Sequence, residues 1–243
     1  MLPIVILAGG LATRLQPLTE RIPKSLVEVA GQPFILHQLD LLRRNQITDI
    51  LLCVGHLGEM IEDTVGNGNR FGVRVCYVYD GPRLIGTAGA LRRALPFLGE
   101  SFFTMYGDSY LDCDFTKVER TFFASDKQAL MTVYRNSNAW DRSNVLFSNG
   151  KILAYDKRAP LPEMAHIDYG LGIFRASALL PYPSDQPTDM ADVFQDLLTQ
   201  GQLAGMEVPQ RFYEIGSLAG LQETRDYFNI KKRGTHDIYP TPS

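Results

Sequence analysis

Leu7-Ala8-Gly9-Gly10-Leu11-Ala12-Thr13-Arg14-Leu15-Gln16-Pro17-Leu18-Thr19-Glu20-Arg21-Ile22-Pro23-Lys24-Ser25-Leu26 is the stretch on which the reading of this chain turns. The apolar run Ile4-Val5-Ile6-Leu7 leads into it and reads as a buried strand. Gly9 and Gly10 then let the backbone turn tightly and come close to a ligand. Free N–H groups in such a turn form a concave anion site. Arg14 and Lys24 add fixed positive charge, and the guanidinium fork matches phosphate oxygens bidentately. Pro17 and Pro23 stiffen the loop between them, because each locks φ. A strand, a glycine turn and two cations together make a phosphate cradle. It is not a Walker loop, since Lys24-Ser25 follows Pro23 rather than glycine, and its adjacent glycines do not fit G-x-G-x-x-G.

Residues 7–24 resemble the opening motif of the sugar-1-phosphate nucleotidyltransferase (nucleoside-diphosphate-sugar pyrophosphorylase) family, L-A-G-G-x-G-T-R-L-x-P-L-T-x-x-x-P-K. Ala12 is the one departure, standing where the family usually has a third glycine. The likeness runs through roughly residues 3–228. It implies that Leu7, Ala8, Gly9, Gly10 and Thr13 contact the nucleotide, with Arg14 and Lys24 as the catalytic cations.

Composition sets outer bounds. The chain has 243 residues, 45% of them hydrophobic, enough for one large α/β domain with a core. A net charge of −3 argues against general nucleic-acid binding. Cys53, Cys76 and Cys113 are far apart and share no metal-ligand spacing, so reduced thiols in a cytoplasmic protein are expected. Residues 2–8 are short, with no basic lead and no cleavage site, and read as a strand rather than a signal peptide. No stretch is long enough to span a membrane.

In order, the chain reads as a helix over Pro33–Gln46, a strand over Asp49–Val54, a helix over Leu57–Val65 and a strand over Val73–Tyr79. Gly86-Thr87-Ala88-Gly89-Ala90 opens a helix to about Leu95, small enough at its start for a nucleobase to approach the backbone. It resembles the family's L-G-T-A-G-A segment, which makes Gly86 and Thr87 expected nucleotide contacts; close helix–strand packing is the competing explanation. Ser101–Tyr106 is a fourth strand ending in Gly107-Asp108-Ser109. Its aspartate stands on the ligand side of an open α/β sheet and is a hard oxygen donor suited to Mg²⁺. Asp114 is the expected cap of a helix through Phe123. The βαβαβαβ order predicts a Rossmann-like, mostly parallel mixed sheet flanked by helices.

The second half changes texture and predicts a smaller α+β portion with antiparallel pairing. Strands are expected over Ala129–Tyr134, Asn144–Ser148, Lys151–Tyr155, Ile167–Phe174, Leu203–Val208 and Arg211–Ile215. Asn149-Gly150 is a hairpin signal. Helices are expected over Asp189–Gln200 and Leu218–Lys231. Residues 1–231 then form one nucleotidyltransferase domain, with a nucleotide-binding half (1–125), a sugar-phosphate-binding half (126–231) and a frayed tail (232–243). Asp156-Lys157 resembles the family's E-K pair and Asp168-Tyr169-Gly170 its N-A-G segment, so Asp156, Lys157, Asp168 and Gly170 are expected on the sugar phosphate. Glu214-Ile215-Gly216-Ser217 resembles D-I-G-T, which makes Glu214 the second metal ligand beside Asp108.

The implied reaction is NTP + sugar 1-phosphate → NDP-sugar + pyrophosphate, with Mg²⁺ as cofactor. The chain looks most like short bacterial heptose and mannose 1-phosphate guanylyltransferases, which favours GTP. Short uridylyl- and thymidylyltransferases, and non-catalytic regulatory paralogues that bind nucleotide sugar, stay open beside it. Oligomeric state is also open, a homo-oligomer included. A nicotinamide dehydrogenase would need the glycine fingerprint that is absent.

Overall fold

The computed structural model describes residues 1–10 and 13–236. Strand β1 (Ile4–Ala8) is followed by the short hairpin β2 (Glu28–Val29) and β3 (Gln32–Pro33), then α1 (Phe34–Arg44). There follow β4 (Asp49–Val54), α2 (Gly58–Val65), β5 (Arg74–Tyr79), α3 (Gly86–Ala94), β6 (Ser101–Tyr106), β7 (Ser109–Tyr110) and α4 (Phe115–Ser125). The rest comprises β8 (Ala129–Arg135), β9 (Val145–Ser148), β10 (Lys151–Tyr155), β11 (His166–Arg175), α5 (Met190–Thr199), β12 (Leu203–Glu207), β13 (Tyr213–Glu214) and α6 (Leu218–His236).

Among the described residues one large mixed sheet carries the order β10-β9-β11-β6-β1-β4-β5, with β8 on β11 and β12 on β8. The pairs β6-β1-β4-β5 are parallel. Strand β11 joins them antiparallel, from Leu171 opposite Met105 to Arg175 opposite Ser101. The second half therefore extends the same sheet instead of forming a separate one. Its pairing is also mixed, because β12 runs parallel to β8.

Alternation along β1 decides the layers. Ile4 and Ile6 belong to one apolar cluster and Val5 to another, as a period of two requires of a strand covered on both faces. The first face is filled by Ile35, Leu39 and Leu42 of α1, Ile61 of α2, and Phe115, Val118 and Phe122 of α4. The second takes Ala88, Leu91 and Ala94 of α3 and Val193, Phe194 and Leu197 of α5. A third cluster joins Val27, Val29 and Phe34 to Tyr110, Ile215, Leu221 and Phe228, so α6 binds the β2–β3 hairpin to the two-stranded β7–β13 ladder.

Local signals behave as their chemistry demands. Asp114 caps α4 by accepting from the Lys117 amide at 2.9 Å. Asn149 and Gly150 both take positive φ, 51° and 74°, in the β9–β10 turn. Two expectations need correction. The strand over Arg211–Ile215 shrinks to Tyr213–Glu214, the two residues that pair with β7, with the Ile215 amide donating to the Asp108 carbonyl at 2.9 Å beyond them. The last helix continues through residue 236 instead of fraying from Lys232; residues 237–243 lie outside the described residues. No described helix is long and apolar enough to cross a membrane.

Candidate active site

The carboxyl ends of β6, β1, β4 and β5 stand side by side, and each releases a functional turn: Gly107-Asp108, Gly9-Gly10, Gly55 and Asp80. This is where open α/β sheets take their ligands. The cleft there is lined by Leu7, Ala8, Gly9, Gly10, Lys24, Ser25, Cys53, Asp80, Leu84, Gly86, Thr87, Ala90, Tyr106, Gly107 and Asp108. Gly10 is exposed, and among the described residues a Cβ there would meet nothing within 4 Å. A Cβ on Gly9 would lie 2.7 Å from Asp80 Oδ2, so that carboxylate needs glycine beneath it.

Lys24 opens a single 3-10 turn after Pro23, whose φ is −65°. Its ammonium donates to Asp108 Oδ2 at 2.6 Å, and both side chains are about one-fifth exposed. Gln38 steadies the other side of this turn, donating to the Tyr106 and Ser109 carbonyls at 3.0 and 2.8 Å. Arg14 lies in the Thr13–Leu15 turn, which the fully buried Leu15 anchors; the Arg14 side chain is exposed. Thr13 is exposed and lines neither cleft described here. Leu11 and the departure Ala12 lie outside the described residues.

Gly86 and Thr87 line the first cleft, yet their packing has its own cause. Gly86 has φ of +72°, and a Cβ would collide with the backbone of Thr188. The Thr188 carbonyl accepts from the Ala88 amide at 2.9 Å, and the Thr87 hydroxyl accepts from the Met190 amide at 2.8 Å. The small residues therefore seat α3 against the start of α5 as well as facing the cleft.

A second cleft continues from the first, and Tyr106 and Asp108 line both. It also gathers Arg14, Lys157, Asp168, Gly170 and Glu214. A register shift in β11 between Asp168 and Gly172, with Gly170 at φ +93°, turns Asp168 and Gly170 toward it. Asp168 Oδ1 accepts from the Gly170 amide at 3.0 Å. Burial pushes the Asp168 carboxyl above its usual range, against the pull of that hydrogen bond and of Lys157. The Lys157 ammonium stands 5.7 Å over the Tyr106 ring. Asp156 does not line the cleft. Its Oδ1 accepts from the Arg158 and Ala159 amides, both at 2.8 Å, which holds its carboxyl below the usual range.

Asp108 and Glu214 meet. A Cβ built on Gly216 would lie 2.9 Å from Asp108 Oδ2 and 2.7 Å from Glu214 Oε2, so the two carboxylates face a common point. Glu214 also accepts from the Ser217 hydroxyl at 2.7 Å and from the Gly216 amide. A Cβ on Gly220 would overlap its other oxygen, so two glycines make room for the longer acid. Two convergent carboxylates are a donor set that fits Mg²⁺.

Several residues of these clefts lie outside the motifs. Arg211 stacks between Trp140, 3.2 Å from its ring centroid, and Tyr213, at 4.8 Å, and pairs with Glu223. Asn144 Oδ1 accepts from the Asp168 amide at 2.9 Å. All of them sit in loops or at element ends, where no periodicity marks them. Asp80 follows β5 directly and belongs to none of the motifs above. Its carboxyl is pushed up to about 6 by burial, with Arg93 pulling the other way.

Residues 4–142 match the family model described as Nucleotidyl transferase. The chain belongs to that family. It is 30% identical over 216 residues to a UTP–glucose-1-phosphate uridylyltransferase of Synechocystis, covering 81% of this chain and 55% of the relative. It is 29% identical over 219 residues to mannose-1-phosphate guanyltransferase beta-A of Xenopus laevis, covering 87% and 60%. The chain thus spans little more than half the length of these relatives. Its fold is shared with HddC of Yersinia pseudotuberculosis complexed with GMP-PN, at a TM-score of 0.78 and 23% identity over 94% of this chain and 100% of that one.

Proposed function

We propose that this protein joins a nucleoside triphosphate to a sugar 1-phosphate, giving NDP-sugar and pyrophosphate. The observation that carries this reading is the pair of clefts meeting at Tyr106 and Asp108. One holds the glycine turn and Lys24; the other holds Lys157, Asp168 and Gly170. A phosphate oxygen of the sugar 1-phosphate attacks the α-phosphorus, the α–β bridge breaks, and pyrophosphate leaves with that electron pair. The nucleophile is already anionic, so alignment and charge neutralisation suffice. In this reading Lys24 stands at the α-phosphate, Arg14 holds the departing phosphates, and Lys157 anchors the nucleophile. Asp108 and Glu214 would hold Mg²⁺, which supplies positive charge beside the transferring phosphate.

For the donor we favour GTP, and for the acceptor D-glycero-α-D-manno-heptose 1-phosphate or a mannose relative. The relatives above use different bases, so this preference rests on the resemblance of the Gly-Asp-Ser-Tyr run and the Gly-Thr-Ala-Gly-Ala helix start. UTP or dTTP with another sugar 1-phosphate is the alternative. Pyrophosphate release from four NTPs against a panel of sugar 1-phosphates tests both levels. No turnover with any pair overturns the reaction, and a non-catalytic nucleotide-sugar binder then replaces it.

One substitution separates the clefts. Charge-assisted hydrogen bonds contribute about 1.5–3 kcal/mol. Lys157→Ala should therefore raise KM for sugar 1-phosphate roughly 10- to 100-fold and leave KM for NTP nearly unchanged. Steady-state kinetics with each substrate varied in turn reads this directly. A mutant impaired only toward NTP would place Lys157 on the other substrate.

A further inference from the structure

Gln38 lies in the middle of α1, between Phe34 and Leu41, at spacings of four and three that place all three on one helix face. Phe34 and Leu41 are buried in the apolar cluster with Tyr110 and Ile215, and Gln38 between them is 0% exposed. A primary amide in such a place is costly unless its polar atoms are satisfied. Only half of this one is. Nε2 donates to the Tyr106 and Ser109 carbonyls at 3.0 and 2.8 Å, while Oε1 is buried and accepts from nothing among the described residues. Two carbonyl partners require the nitrogen, because only N–H donates. Methionine or leucine would complete the apolar stripe, so what sets this side chain apart is its pair of donors.

Those two carbonyls bracket Asp108. Tyr106 ends β6 and Ser109 opens β7. The Gly107 amide donates to the Leu7 carbonyl at 2.9 Å, which ties the turn to β1. Ser109 stands opposite Glu214 in the β7–β13 ladder, and the Ile215 amide donates to the Asp108 carbonyl at 2.9 Å. One buried amide thus braces both the turn that carries Asp108 and the short strand that pairs with Glu214. The carboxylates of these two residues face one point beside Gly216. We infer that Gln38 is a positioning residue for the Asp108–Glu214 pair, fixing the separation of the two carboxylates without touching substrate. The inference rests on the reading above in which that pair holds Mg²⁺. Groups that orient metal ligands from behind typically contribute roughly 10- to 100-fold to metal affinity or activity.

The test compares the full chain with two variants. Gln38→Met keeps the length and the apolar shape but has no donor. Leu42→Ala removes a fully buried side chain from the same helix and serves as the control for packing. Binding of Mn²⁺ alone is read by electron paramagnetic resonance, beside thermal unfolding and steady-state kinetics. Gln38→Met should bind Mn²⁺ roughly 10- to 100-fold more weakly. Its Mg²⁺ requirement in turnover should rise, while KM for sugar 1-phosphate stays nearly unchanged. Leu42→Ala should lose thermal stability and keep the Mn²⁺ affinity of wild type. A folded Gln38→Met that keeps that affinity overturns the assignment, and so does wild type that binds no Mn²⁺. Wild type gives a separate reading if the variant does not fold: both Nε2 protons of Gln38 should exchange slowly with solvent, and fast exchange of both overturns the brace. Weaker Mn²⁺ binding by Gln38→Met in a protein that uses no NTP keeps the assignment and removes the transferase reading. Turnover by wild type, with an unchanged Mg²⁺ requirement in Gln38→Met, does the reverse.

Discussion

Lys24→Ala is expected to lower kcat by roughly 10²–10³, the effect of losing one preorganised charge, about 2.7–4 kcal/mol of transition-state stabilisation. The structure explains why this lysine should count for so much. Pro23 sets the entry angle, the 3-10 turn fixes the backbone, and the 2.6 Å contact with Asp108 holds the ammonium at the junction of the two clefts. A charge held in place before substrate arrives needs no reorganisation during the reaction. NTP affinity should change less than kcat, because in the proposed reading the glycine turn and Arg14 take the other phosphates. Lys24→Arg should restore only part of the rate, since a planar guanidinium directs its donors differently from an ammonium. Pyrophosphate release, with circular dichroism to confirm folding, decides the matter. A change of only a few-fold would make Lys24 an ordinary loop charge.

Asp108→Asn should be comparably damaging, roughly 10²-fold or more in kcat/KM, because charge stabilisation by a bound metal contributes several kcal/mol. The substitution keeps the shape and removes one of the two negative charges that face the Gly216 point. It also removes the ion-pair partner of Lys24. A purely structural role for the pair would predict a loss of stability with little dependence on metal. The metal role predicts that the defect is deepest at limiting Mg²⁺ and shallower at excess. Rates close to wild type at limiting Mg²⁺ would exclude it.

The parts of the fold that announced themselves were those governed by local chemistry. Asp49–Val54 and Ser101–Tyr106 are mostly apolar segments buried on both faces, and the structure keeps their bounds. Asp114 and Asn149-Gly150 act through nearest neighbours, so their signals survive without tertiary information. The union of both halves in one sheet was not legible, because it depends on β11 meeting β6 across more than sixty residues of chain. The strand expected over Arg211–Ile215 is longer than the one that forms, because the partner β7 is itself only Ser109–Tyr110 and pairs with Tyr213 and Glu214. At the site, Lys24, Asp108 and Glu214 came from ordered motifs and lie together. Asp156 did not follow its motif into the cleft, since a shorter acid beside two free amides closes on its own backbone. Arg211, Asn144 and Asp80 belong to the clefts through packing alone, and single residues at element ends carry no pattern.

The stacking of Arg211 on Trp140 has a practical consequence. The chain contains a single tryptophan. Its indole lies at the mouth of the second cleft, 45% exposed, with a guanidinium 3.2 Å from the ring centre. Light absorbed selectively by indole is therefore re-emitted from one known place on the molecule. An anion that draws Arg211 away changes both the charge over the ring and its access to water, so the emission should shift in wavelength and intensity as the second cleft fills. Occupancy of the cleft for nucleotide alone should leave it nearly still. In the proposed reaction, this single indole reports the order in which the two substrates arrive.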